Sequence, residues 1–211
     1  STGEDVAMAF YKMAGERPAF DKWIKANPPY NTTPLAGREE VYKKEKDRLS
    51  KKWDSLDLQK NYLTVKATVR ARLLGSEGQK RQLEIRLPGG EVDYFPYVFM
   101  NEQYALIPDK LQSLLTAIPT EQELSFMTRH LGPMYKKFFL TIQLKPVQAD
   151  TSGTHLIDSH PQWLFLSNVA SLALWSPSGF LLWEYSAPWF ITPTTDTLND
   201  LYQDPATSSE P

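Results

Sequence analysis

The chain has 211 residues, 41% of them apolar, and a formal net charge of −2 at pH 7. That is long and greasy enough for one sizeable core, and it is not the strongly basic balance of a general nucleic-acid binder. There is no cysteine, which excludes disulfides, thiolate nucleophiles, iron–sulfur clusters and cysteine zinc sites within these residues.

The opening Ser1-Thr2-Gly3-Glu4-Asp5 is polar and acidic where a secretory leader would be basic. Thr2 caps a first helix, with Asp5 three residues on in place of the usual Glu, and Val6, Phe10, Met13 and Ala14 follow at helical spacing. Gly15 to Pro18 breaks that run. Pro18 suits the first turn of a second helix, in which Phe20, Trp23 and Ile24 share a face. Thr33-Pro34 predicts the cap and first position of a longer helix reaching about Leu58. Its seam is Tyr42, Leu49, Trp53 and Leu56, and its wet face carries the pairs Glu39–Lys43, Glu40–Lys44 and Asp47–Lys51.

At Tyr62 the period of the pattern changes to two. Leu63, Val65, Ala67, Val69, Ala71 and Leu73 alternate with Thr64, Lys66, Thr68, Arg70 and Arg72, which predicts a long half-buried strand. A turn at Gly75–Gly78 returns it through Leu83, Ile85 and Leu87 as a hairpin. Tyr94–Phe99 is aromatic and contains Pro96, so it suits an edge strand; Tyr104–Ile107 is a short strand. Asp109–Ile118 reads as helical turns, and Thr120 with Glu123 predicts a capped helix ending near Gly132-Pro133. Phe138–Leu144 is a strand, 146–161 a loop, and Trp163–Leu166, Val169–Trp175 and Phe180–Tyr185 are strands. The longest apolar run, Trp163–Trp175, spans 13 residues with Ser167, Asn168 and Ser171 inside it, short of the ~20 that a bilayer helix needs.

The pattern therefore predicts an α+β protein: N-terminal helices packed on a mainly antiparallel β-sheet or sandwich. Residues 1–60 form a helical segment, 61–193 a mainly antiparallel β domain with short helices near 109–131, and 194–211 an acidic, flexible tail. The hairpin of Leu172–Trp175 with Phe180–Trp183 is apolar on both faces, so it needs a cover, and the chain's own helices, the opening ones above all, are the expected roof.

Charge is unevenly placed. Residues 36–86 hold 14 Lys and Arg against 8 acids, whereas residues 146–211 hold 7 acids and no Lys or Arg. Lys66, Arg70, Arg72 and Arg86, helped by Lys80 and Arg81, form the outward face of the first hairpin. They suit either a docking surface for an anionic partner or a solvated face that charge protects from aggregation. The acidic tail could itself lie over them.

Tyr94, Phe95, Tyr97 and Phe99, with Trp183, Tyr185, Trp189 and Phe190, suit a stacking platform for sugars, a peptide groove, or ordinary core and rim packing. His155, Asp158 and His160 are where two histidines and a carboxylate crowd together. The histidines stand at a spacing of five, in a loop with no second cluster, so the arrangement reads as a polar loop more than a metal site. Glu91 and Asp93 form one of many acidic pairs. No G-x-S-x-G elbow, phosphate loop or dinucleotide fingerprint occurs, and no cofactor is expected.

The order of features resembles a family of exported bacterial proteins of unknown function. The residues that carry the likeness are the charged helix Arg38–Leu58, the strand Leu63–Leu73, Asp93-Tyr94-Phe95-Pro96-Tyr97, Ala105-Leu106-Ile107-Pro108 and the strand Trp163…Leu174. The resemblance covers most of the chain and implies a periplasmic or otherwise exported location, without supplying catalytic residues. The expected function is a non-enzymatic binding or assembly module of the cell envelope, acting on another protein or an anionic surface. The alternatives are a carbohydrate-binding module using the aromatics and a hydrolase with its site near residues 150–162.

Overall fold

Thr2 opens the first helix, α1 (Gly3–Ala14), through a complete capping box. Its hydroxyl accepts from the Asp5 N–H at 3.2 Å, and the Asp5 carboxylate accepts from the Thr2 N–H at 2.7 Å. Gly15 ends the helix in the left-handed region, at φ +73°. Then comes α2 (Phe20–Ala26), with Phe20, Trp23 and Ile24 buried as their spacing predicts. The long helix, α3 (Arg38–Ser55), starts later than Thr33-Pro34 predicts. Two 3-10 turns, Tyr30–Thr32 and Leu35–Gly37, take up that stretch, and Gly37 caps the helix without a side-chain bond.

The computed structural model describes residues 1–76, 78–90 and 94–190. The expected tail 194–211 and the pair Glu91 and Asp93 lie outside the described residues. The remaining elements are β1 (Leu63–Leu74), β2 (Gln82–Arg86), β3 (Phe95–Phe99), β4 (Glu102–Asp109), α4 (Leu111–Leu114), β5 (Thr116–Ala117), α5 (Glu121–Met127), β6 (Lys136–Ala149), β7 (His155–Ile157), β8 (His160–Trp175) and β9 (Leu181–Ser186). The fold is α+β, with helices at the N-terminus on a nine-stranded, mostly antiparallel sheet. No helix among the described residues is long and apolar enough to cross a membrane.

In their described parts, two compact units share the chain. The first comprises Ser1–Leu58, Val92–Asp109 and Lys145–Asn168; the second comprises Gln59–Glu91, Lys110–Leu144 and Val169 onward. In the first unit β3 and β4 form a hairpin through Met100-Asn101, both at positive φ, and β4 pairs in parallel with β8 from Tyr104↔Trp163 to Asp109↔Asn168. The helices dock here through aromatic rings. Phe10 meets Tyr104 at 5.3 Å, Phe165 at 5.5 Å and Trp163 at 5.8 Å between centroids, and Trp23 meets Phe99 at 4.7 Å. Gly3 lets α1 come close to β3: a Cβ on it would stand 2.1 Å from the Val98 carbonyl oxygen.

A charged cluster ties α1 to α3. Arg48 forks onto both Glu4 oxygens at 2.9 and 3.0 Å, and Lys52 reaches Glu4 at 2.9 Å as well as Asp5. Burial alone would push both carboxyls up. Hydrogen bonds from Arg48 and Lys52 to Glu4, and from Lys52 and the Thr2 N–H to Asp5, outweigh it and hold both below their ordinary values. A depressed folded-state value contributes stability above the unfolded carboxyl range and loses it as pH falls through the folded one. The thermal midpoint should therefore hold down to about pH 4 and then drop. A Glu4→Gln variant should start lower and show a shallower acid limb; an identical limb in both proteins would remove Glu4 from the account.

In the second unit β1 pairs antiparallel with β2, from Arg70↔Arg86 to Leu74↔Gln82, and with β6, from Leu63↔Leu144 to Ala71↔Lys136. β5 adds to β2, and β9 returns along β8 with a bulge at Leu174/Trp175. α5 has the capping box that Thr120 and Glu123 predict but stops at Met127, well before Gly132. The late hairpin is met by one of the chain's own helices. Its partner in this unit is α5, with Phe126 set 6.1 Å from Phe180. The opening helices pack in the first unit, on β3, β4 and the leading half of β8. A sequence shows that a greasy hairpin needs cover, but not which amphipathic helix supplies it.

Candidate functional site

Register sets the site. Because Arg70 lies opposite Arg86 on one side and opposite Lys137 on the other, three cations stand in one row across β2, β1 and β6. All three are exposed, and no ion pair to any of them occurs among the described residues. Like charges directly opposite one another weaken a sheet.

Two positions along β1 the arrangement is the reverse. Arg72 faces Glu84, bonds it at 2.8 and 2.9 Å, and is thereby neutralised. Glu84 also accepts from the Tyr135 hydroxyl at 3.0 Å and from Gln82 at 3.1 Å, and Arg72 foremost among these donors holds its carboxyl below the ordinary value. The Tyr135 ring thus fixed is flanked by two guanidiniums, Arg72 at 4.4 Å and Arg86 at 4.7 Å. Arg86 gains a stacking surface from this network, and no ion pair to it occurs among the described residues.

The cationic row borders a groove of about 380 Å³ lined by Arg70, Arg86, Lys137, Thr68 and the Pro88-Gly89-Gly90 turn. A second cavity, of about 480 Å³, shares Arg86 and Gly90 and reaches Glu84 and Tyr135. Both turn glycines have positive φ, +81° and +92°, and a Cβ on either would meet no atom within 4 Å, so the turn leaves its side of the groove open. Arg70, Arg86 and Lys137 bring hydrogen-bond donors to the first groove and Thr68 one hydroxyl, while Val69, Leu87 and Pro88 line it with apolar surface. Among the described residues neither a carboxylate nor an imidazole lines it, so its described lining is equipped to hold an anion.

Of the residues singled out in the sequence, Arg70 and Arg86 come together here. Arg72 is engaged by Glu84. Lys66 is exposed on the same strand, opposite Thr141 and outside the groove. Lys80 and Arg81 border a different cavity, with Ile118 and Leu124. Lys137 and Tyr135 were missed. The alternation that places Phe138 and Leu140 inward puts Lys137 outward, but only the pairing of β6 with β1 sets it beside Arg70.

Phe95, Tyr97 and Phe99 are half-buried on alternate positions of β3, and Phe99 packs on Trp23 of α2. Burial raises the Tyr97 hydroxyl. Trp183 and Tyr185 belong to the other unit, and Trp183 is buried there.

The expected loop at 146–161 is another correction. β6 runs on to Ala149, and β7 and β8 form a tight hairpin whose turn residues, Asp158 and Ser159, have φ +52° and +66°. The histidines do not converge with Asp158. His155 Nε2 lies 3.0 Å from Asp150, the Asp158 carboxylate accepts from the Tyr94 hydroxyl at 2.6 Å, and His160 Nδ1 is 2.8 Å from the Asp158 carbonyl. Among the described residues no group of three or more His, Asp or Glu could hold a metal ion. No protein-family model matches the chain, and no curated protein or solved structure matches it.

Proposed function

We propose that the protein is a non-enzymatic binding module that docks an anionic surface through the outward face of β1, β2 and β6. The observation that carries this reading is the row Arg86–Arg70–Lys137. The fold neutralises Arg72 with Glu84 in the neighbouring layer, yet leaves three cations side by side. An anionic partner relieves that repulsion on binding. The resemblance to exported bacterial proteins supports a place in the cell envelope, where anionic surfaces abound.

Co-sedimentation with vesicles tests this. The protein should pellet with phosphatidylcholine vesicles containing phosphatidylglycerol at about 0.05 M salt, not with phosphatidylcholine alone, and should be released at about 0.5 M. The triple variant Arg70→Gln, Arg86→Gln, Lys137→Gln should bind at least about tenfold more weakly, a change of ~1.4 kcal/mol. Its thermal midpoint should not fall, because the substitution removes repulsion. Equal binding to charged and neutral vesicles, or none at low salt, would end the reading.

A further inference from the structure

We infer that the groove bounded by Arg70, Arg86, Lys137 and the Gly89-Gly90 turn is a site for a single phosphate-monoester group. The inference rests on the surface-docking reading and narrows it from a charged face to one seat within that face.

The first argument is stoichiometric. A carboxylate brings one negative charge and two oxygens, which would leave the row largely unbalanced. A phosphate monoester near neutral pH brings about −1.5 to −2 and three strong acceptor oxygens. Three cationic side chains line the groove, one per strand, so each can face one oxygen.

The second argument concerns orientation. An arginine fork recognises an oxyanion best when its plane is fixed in advance. Arg86 is stacked 4.7 Å from the Tyr135 ring, and that ring is itself held by its hydroxyl bond to Glu84. Glu84 is occupied by Arg72 and Tyr135, which leaves the Arg86 charge for a ligand.

Size supplies the third argument. About 380 Å³ lies at the small end of the range for ligand clefts, ~300–1,000 Å³. It suits a phosphoryl group and the first atoms of its carrier, not a large polymer segment. The open turn at Gly89-Gly90, where a side-chain atom would meet nothing within 4 Å, gives that carrier a way out. A lipid headgroup and a soluble phosphomonoester share this chemistry.

The experiment uses the full chain and three probes. In a ¹⁵N-NMR titration, inorganic phosphate and phenyl phosphate should shift the Gly89 and Gly90 amide signals saturably, while acetate at equal ionic strength leaves them in place. Arg70→Gln and Lys137→Gln should each weaken phenyl phosphate binding about tenfold. Lys66→Gln, on the same face but outside the groove, should leave it unchanged. Vesicles containing phosphatidic acid, a monoester, should then bind more tightly than vesicles with an equal charge of phosphatidylglycerol, a diester. Saturable phenyl phosphate binding without that vesicle preference assigns the site to a soluble ester. No saturable shift, or one equally sensitive to Lys66→Gln, overturns the inference. If phosphatidylglycerol vesicles still bind in that case, the broader docking reading survives; if they do not, both fall.

Discussion

Replacing Phe165 with alanine should lower the unfolding free energy by about 3–5 kcal/mol. Phe165 sits in β8, is fully buried, and meets the Phe10 ring edge-on at 5.5 Å and 83°. Truncation removes its apolar transfer energy and leaves a hole that Phe10, Tyr104 and Trp163 cannot all close, since Phe10 already contacts each of them. A helix face and a sheet face meet at this ring, so the docking of α1 should loosen with it. Urea denaturation should show a lower midpoint, and the Phe10–Phe165 double-mutant cycle a coupling of about 0.5–1.5 kcal/mol. Phe139→Ala is the contrast, because that ring is 38% exposed and faces outward; its cost should stay within about 0.5 kcal/mol. Similar losses at the two positions would contradict the placement of the core.

Gly3→Ala separates two effects of opposite sign. Gly3 is the first residue of α1, and intrinsic propensity favours alanine in a helix by up to about 1 kcal/mol. The added methyl would lie 2.1 Å from the Val98 oxygen and 3.0 Å from its carbonyl carbon. Both are backbone atoms, so no rotamer change relieves the clash, and either α1 or β3 must shift. Overpacking of this kind costs about 1–3 kcal/mol, so the steric term wins. Destabilisation in a thermal melt is the expected result. A stabilised variant would mean that α1 does not lie against β3 at this distance.

What was legible in the sequence was whatever depends on period and capping. The β1–β2 hairpin follows from strict alternation, and both capping boxes follow from a threonine three residues before an acid. The β7–β8 hairpin was not legible. Its turn puts Asp158 and Ser159 in a backbone region usually marked by Asn-Gly or Asp-Gly, so the strongest local hairpin signal is absent. β6 likewise continues through Lys145-Pro146, where a proline argues for a strand end. Arg70 and Arg86 could be named as outward-facing cations from alternation alone. Lys137 could not be joined to them, because which strand flanks β1 is decided by tertiary packing.

The cluster of Glu4, Asp5, Arg48 and Lys52 has a further consequence for how substitutions combine. Arg48 is shared between Glu4 and Glu45, and Lys52 between Glu4 and Asp5, so Glu4, Arg48 and Lys52 each keep a charged partner when one is lost, while Asp5 keeps the Thr2 N–H. Such redundancy makes the clasp tolerant of a first lesion and intolerant of a second. The energetic effects of paired replacements there will not sum, and the helix-to-helix tether will fail by collapse of the whole set instead of one bond at a time.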